Sequence, residues 1–175
     1  MNNTALLYQK GSAGINVEPN PDLFELFRKY RKRDININAG VSTEKGLGKY
    51  YSMDVPSLNT FSEMHVNDYL KEGHSIRSTI DLRLLRLADI SNDYYHGRWP
   101  DLLTIDVEGL DFDILRSLDY SNKPVVICVE TISYSTTGHG KKDTALIQFM
   151  NENGYFLYAD TYINSIFVKR DCWYR

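Results

Sequence analysis

The chain of 175 residues is short of several things, and each shortage removes a class of function. It has two cysteines, Cys128 and Cys172, which is no secreted disulfide framework. It has no surplus of positive charge: 20 Lys and Arg stand against 23 Asp and Glu, a net charge of -3, so nucleic acid is not the expected partner. No apolar run approaches the roughly 20 residues that span a bilayer, and the start M-N-N-T-A-L-L-Y-Q-K lacks a long signal-type core. A soluble, cytoplasmic protein with no membrane partner is the expectation. No G-x-G-x-x-G precedes the first acidic strand end, which argues against a dinucleotide-dependent dehydrogenase. Internal repeats and low-complexity segments are also lacking. With 42% hydrophobic residues the chain has the makings of one globular domain, residues 1–175.

What is present is organised around Asp101 to Glu130. Two apolar runs, Leu102 to Val107 and Val125 to Val129, flank a segment whose Leu110, Ile114, Leu115 and Leu118 share a helical face. This predicts a strand, helix, strand unit with strands covered on both faces, as in a parallel α/β sheet. Asp106 and Glu108 end the first strand and Glu130 the second. Ligands of open α/β sheets bind beyond the carboxyl ends of strands, which makes these acids candidates for a site.

Earlier in the chain, Thr4 to Tyr8 reads as a helix ending near Gly11, and Gly14 to Val17 as a strand ending at Glu18. Asn20 is an N-cap and Pro21 a first helical residue, predicting a helix to about Arg33 with Leu23, Leu26, Phe27 and Tyr30 as its apolar stripe and a solvated basic end. Ile35 to Val41 reads as one strand, in which Gly40 permits close approach of a ligand or backbone. Lys49 to Met53 and Ser75 to Ile80 read as strands, Val55 to Glu72 as a partly ordered polar segment, Asp81 to Ile90 as a helix and Asn92 to Pro100 as a loop. Beyond Glu130, Asp143 caps a helix bearing Leu146, Ile147 and Met150; Tyr155 to Ala159 and Ile163 to Val168 form an antiparallel pair.

The run I-D-V-E-G-L-D-F-D-I-L-R-S-L followed by P-V-V-I-C-V-E resembles the signature of the FkbM-type S-adenosylmethionine-dependent methyltransferases. The runs G-I-N-V-E-P-N-P, D-I-N-I-N-A-G-V-S, L-N-T-F-S and G-Y-F-L-Y-A-D-T-Y-I-N-S-I-F-V are similar to that family in order and spacing, so the resemblance covers nearly the whole chain. It implies a Rossmann-like methyltransferase fold, a mostly parallel sheet with an antiparallel C-terminal strand pair. It also implies transfer of a methyl group from S-adenosylmethionine to a hydroxyl of a sugar, glycan or other small molecule. The family's first strand, with its glycine-containing loop for the methionine part of the cofactor, has no counterpart before Glu18, which leaves an alternative: a non-catalytic remnant that binds a partner or self-associates into a homo-oligomer through orphaned strand edges.

The resemblance places Glu18, with Asn20, at the ribose, and Asn38, Ala39 and Gly40 beside the adenine. Asp106 and Glu108, two apart on extended chain, share one side. Such a pair is able to bind a divalent metal, to take the proton of an acceptor hydroxyl, or to stabilise the cofactor's sulfonium, and also to favour the helix N-terminus behind it. The sequence leaves these open. Glu130 and His139 are further catalytic candidates; His65, His96 and His139 lack metal-ligand spacing.

Overall fold

A computed structural model describes residues 3–107, 109–132 and 140–173. Two compact units are distinguished, divided after Ile90.

In the first unit a short helix α1 (Ala5–Gln9) closes at Gly11, whose φ of +102° is the left-handed turn expected there. Strands β1 (Ile15–Val17) and β2 (Ile35–Ile37) pair in parallel, with α2 (Pro21–Tyr30) between them. Asn20 starts α2 by accepting the N–H of Asp22 at 2.9 Å, with Pro21 behind it. The helix ends sooner than its basic run suggests, because Arg31 leaves helical geometry and turns its guanidinium onto Asp34. Its stripe is also displaced by a residue. Phe24 and Phe27 are half-buried, whereas Leu23, Leu26 and Tyr30 stay exposed.

The single strand expected over Ile35–Val41 is broken. Chain direction changes at Asn38 and Ala39, and Gly40–Val41 (β3) pairs with a different sheet, in parallel with Leu84–Leu85 of β5 (Ile76–Leu85). On its other side β5 runs antiparallel to β4 (Gly46–Met53). The helix expected from Asp81 is therefore strand as far as Leu85: polar Asp81 and Arg83 alternate with Leu82 and Leu84, a period of two that the neighbouring leucines disguise as a helical stripe. Helix α4 (Leu87–Tyr95) follows, in part over residues read as loop. The polar segment after β4 holds a tight turn at Pro56–Leu58 and then α3 (Glu63–Lys71), capped by Ser62 and burying Val66 and Tyr69 against Tyr51 and Met53.

The second unit is built on one four-stranded sheet. Strand β6 (Leu102–Ile105) pairs in parallel with β7 (Val126–Glu130), and β7 pairs antiparallel with β9 (Asn164–Lys169), which carries β8 (Tyr155–Asp160) on its far edge. The antiparallel C-terminal pair is thus present. Helix α5 (Asp111–Arg116) connects the parallel strands, α6 (Thr144–Glu152) leads into β8, and a single turn α7 (Arg170–Trp173) follows β9. Ile114, Leu115 and Leu118 are buried as their spacing predicts, but Leu110 sits at the N-cap and is exposed. Strand β7 alternates instead of being covered equally on both faces. Ile127 and Val129 are fully buried, and Val126, Cys128 and Glu130 half-buried.

Among the described residues the architecture is α/β with small mixed sheets, three strand pairs parallel and three antiparallel, in place of the mostly parallel sheet expected. No helix among the described residues is long and apolar enough to cross a membrane.

Candidate functional site

Glu18 follows the last residue of β1, and its backbone extends the parallel pairing by one bond, donating N–H to Ile37 O at 3.0 Å. Its half-buried carboxylate accepts the N–H of Asn20 at 2.9 Å, so the acid is oriented by the same residue that caps α2. Asn38 fixes this connection from the other strand. Its side-chain amide donates to Glu18 O at 2.8 Å and to Pro19 O at 3.1 Å, which commits its N–H groups to the protein's own backbone. Ala39 is fully buried. Gly40 does allow a close approach, but the approaching group belongs to the protein: a Cβ there would lie 2.6 Å from Phe61 Cζ and 2.8 Å from Leu84 Cδ2. Phe61 is the aromatic residue of the L-N-T-F-S run and also packs against Tyr50 at 5.0 Å between ring centres.

At the amino ends of β1 and β2 lies a polar cluster that sequence reasoning missed. Asp34, whose side chain is fully enclosed, accepts from Gly14 N at 2.9 Å, Asn16 Nδ2 at 2.8 Å and Arg31 Nε at 2.8 Å. Arg31 also donates to Thr4 Oγ1 at 3.0 Å, and the guanidiniums of Arg31 and Arg33 stack on Tyr8. The supposedly solvated basic end of α2 therefore ties α1, α2 and both strands together. Asp34 and its partners are mutually satisfied, a structural arrangement. The only sequence signal was the row of asparagines, Asn16 and Asn36, at equivalent strand positions.

In the second unit the candidate acids gather at the carboxyl ends of β6 and β7. Ile105 is in register with Val129, so Asp106 and Glu130 stand one residue further along adjacent parallel strands. Asp106 is exposed and Glu130 half-buried. Glu108 and His139 lie outside the described residues. Behind Asp106 is a carboxyl group not singled out from sequence: Asp111, the first residue of α5, is 7% exposed and accepts the N–H of Val107 at 3.3 Å. Burial raises its pKa, the charge of Asp106 pushes the same way, and the N–H groups of Val107 and Gly109 oppose the rise without cancelling it. Burial also raises the Cys128 thiol on β7, opposed by a hydrogen bond with Thr104 and reinforced by Asp106. Asp111 could not be distinguished in sequence because an acid in a helix's first turn is ordinarily a solvated one.

The residue after Glu130 anchors this end of the sheet. Thr131 is almost wholly buried, its hydroxyl 2.6 Å from that of Ser165 on β9, while its carbonyl accepts the N–H of Asp143, the residue that caps α6. Among the described residues no group of three or more His, Cys, Asp or Glu is arranged to hold a metal ion.

These features are those of a scaffold with acids at the ends of parallel strands. No curated protein and no solved structure matches the chain significantly. The family model described as "Methyltransferase FkbM domain" does, over residues 2–157, which is most of the chain and includes Glu18, Asn38, Asp106 and Glu130. The chain belongs to the FkbM methyltransferase domain family.

Proposed function

We propose that the protein is an S-adenosylmethionine-dependent O-methyltransferase of Rossmann-like fold, acting on a hydroxyl of a sugar, glycan or other small molecule. Membership of the family supports methyl transfer. The observation that carries the cofactor assignment is Glu18. It is an acid at the end of a parallel strand, oriented by the Asn20 N–H and followed at once by a capped helix, the place from which a carboxylate accepts both hydroxyls of a ribose in nucleotide-binding α/β proteins. Asn38, Ala39 and Gly40 close the β2 to β3 connection next to it, and the Asn38 side-chain oxygen is a suitable acceptor for an adenine amine.

When bound, the cofactor supplies an electrophilic methyl group on a sulfonium. The protein's own part is to hold an acceptor oxygen in line with that carbon and to remove its proton. Asp106 is our choice for the proton acceptor, being an accessible carboxylate at a strand end; Glu130, on the adjacent strand, is placed to orient the acceptor. With the cofactor bound, an acceptor oxygen held there would take the methyl group as the sulfide departed, and its proton would pass to the Asp106 carboxylate.

The test is calorimetric titration of S-adenosylhomocysteine into the full chain, beside Glu18→Ala and Glu18→Gln. Saturable binding that weakens at least about tenfold in Glu18→Ala supports the reading. Absence of heat from a folded wild-type sample overturns it and favours a methyltransferase-fold binding module instead.

A further inference from the structure

The turn between β8 and β9 contains a residue ill suited to its backbone conformation. Asp160 pairs with Ser165, and the Thr161 N–H donates to Asn164 O at 2.9 Å, which leaves Tyr162 and Ile163 as the two central residues. Of these only Tyr162 has a positive φ, +74°. Hairpin turns with one such residue, in the first central position, favour glycine there, because a Cβ crowds the following carbonyl. A bulky tyrosine is strained in its place.

Polar groups hold the strained residue. Its N–H donates to Asp160 Oδ1 at 2.7 Å, and Lys142 Nζ donates both to Tyr162 O at 2.7 Å and to Asp160 Oδ1 at 2.8 Å. The Thr161 hydroxyl accepts the Asn164 N–H at 3.2 Å. The tyrosine ring does little for the fold in exchange. Tyr162 is 54% exposed, and its hydroxyl reaches Gly140 O only at 3.5 Å, the outer limit of a hydrogen bond. Backbone strain that packing does not account for marks a position kept for another purpose.

The place of the turn points to that purpose. Strand β9 begins at Asn164, in register with Glu130, and Ile163 O accepts the Thr131 N–H at 2.9 Å. The turn thus flanks the carboxyl end of β7, whose neighbour on the other side is the end of β6 with Asp106. All of these residues belong to the second unit. An aromatic ring open to water, on the same sheet end as two carboxylates, suits a ligand with one apolar face and a rim of hydroxyls: the C–H face covers the ring, and the hydroxyls donate to the acids or stay hydrated. A flat apolar ligand calls instead for a closed slot that buries most of its surface.

We infer that Tyr162 is an acceptor-contacting residue of the methyl-transfer site, its ring the platform on which the apolar face of a pyranoside stacks. This rests on the methyltransferase reading above and adds to it the residue that selects the acceptor's shape.

The experiment compares wild type, Tyr162→Gly, Tyr162→Asn and Tyr162→Phe in the full chain. Urea unfolding needs no ligand: glycine and asparagine tolerate the left-handed conformation, so both variants should have a midpoint equal to or above that of wild type. A lower midpoint in both means that the ring holds the fold together and overturns the inference. Binding is then read by saturation-transfer NMR with the methyl α-glycosides of glucose, galactose and mannose, and with phenol as the flat comparison. The expected result is millimolar binding of at least one glycoside, weaker by about tenfold or more in Tyr162→Gly and within about threefold of wild type in Tyr162→Phe. Equal glycoside binding in Tyr162→Gly, no glycoside binding by folded wild type, or phenol bound more tightly than every glycoside overturns the inference. Titration of S-adenosylhomocysteine into wild type keeps the two readings apart. Cofactor binding without glycoside binding overturns the role of Tyr162 alone; glycoside binding without cofactor binding overturns the methyltransferase reading, and the acceptor role with it.

Discussion

Replacing Gly40 by alanine asks whether the glycine of the N-A-G-V run makes room for a ligand or for the protein itself. The Cβ would stand 2.6 Å and 2.8 Å from two ring atoms of Phe61 and 2.8 Å from Leu84 Cδ2. Carbon atoms in contact settle near 3.5–4.0 Å, so the ring must retreat by roughly an ångström. It has little freedom to do so, being packed against Tyr50, which is itself 3% exposed. Overpacking of this kind typically destabilises by about 1–3 kcal/mol, or about 2–12 °C in Tm at 2–4 °C per kcal/mol. The informative measurement is a double-mutant cycle by urea unfolding with Gly40→Ala, Phe61→Ala and the pair. Phe61→Ala is destabilising alone but removes two of the three close contacts, so the pair should be less destabilised than the sum of the singles by about 1 kcal/mol or more. Additive effects would refute the packing account. A Gly40→Ala protein as stable as wild type but weaker toward S-adenosylhomocysteine would return the glycine to a ligand-facing role.

Three other predictions use the same chain of reasoning. Asp34→Ala should destabilise by about 3–5 kcal/mol, read from urea unfolding, because it strands Arg31, whose side chain is only 12% exposed, as well as the Gly14 N–H; a loss below about 1 kcal/mol would show that the cluster is surface decoration. Gly109→Ala should cost about 1–2 kcal/mol from backbone strain alone, since nothing crowds its Cβ, and Gly109→Asn should cost less; equal losses would argue against the left-handed conformation as the cause. The hydrogen bonds of Arg86 hold the Asp89 carboxyl far below the usual range despite its burial, with help from Lys45. A folded-state pKa below the unfolded one gives stability that is full above about pH 3.8 and is lost as the pH falls below it. Asp89→Asn should therefore be less stable than wild type at pH 7 and should converge on it as the pH is lowered toward 2.

How far the sequence could be read depended on which force settled each element. Asn20 and Asp143 were legible as helix starts because capping is decided within three residues, and both caps form the expected bonds. The parallel pair β6 and β7 was legible because unbroken apolar runs bounded by turns leave little alternative. Legibility failed where tertiary contacts chose between local options. Asp81 to Leu85 carries both a period of two and a tolerable helical stripe, and pairing with β3 and β4 selected the strand. The continuous strand expected over Ile35–Val41 is interrupted where the Asn38 side chain is bonded to the connection after β1, a partner about 20 residues away in sequence. Helix α3 was hidden because only Val66 and Tyr69 of its nine residues are buried.

The site divides along the same line. Glu18, Asp106 and Glu130 could be singled out from sequence as candidates because each stands at the end of a strand, a local mark that coincides with the place where ligands of open α/β sheets bind. Asp111 and Asp34 could not, because their significance is burial, and nothing in the neighbouring residues of an aspartate announces that it will lose contact with water. Asp34 meets its burial with Arg31, Asn16 and a backbone N–H, so its charge is balanced and its consequence is stability. Asp111 has no cation among its hydrogen-bond donors or the charges that shift it, and it faces another acid.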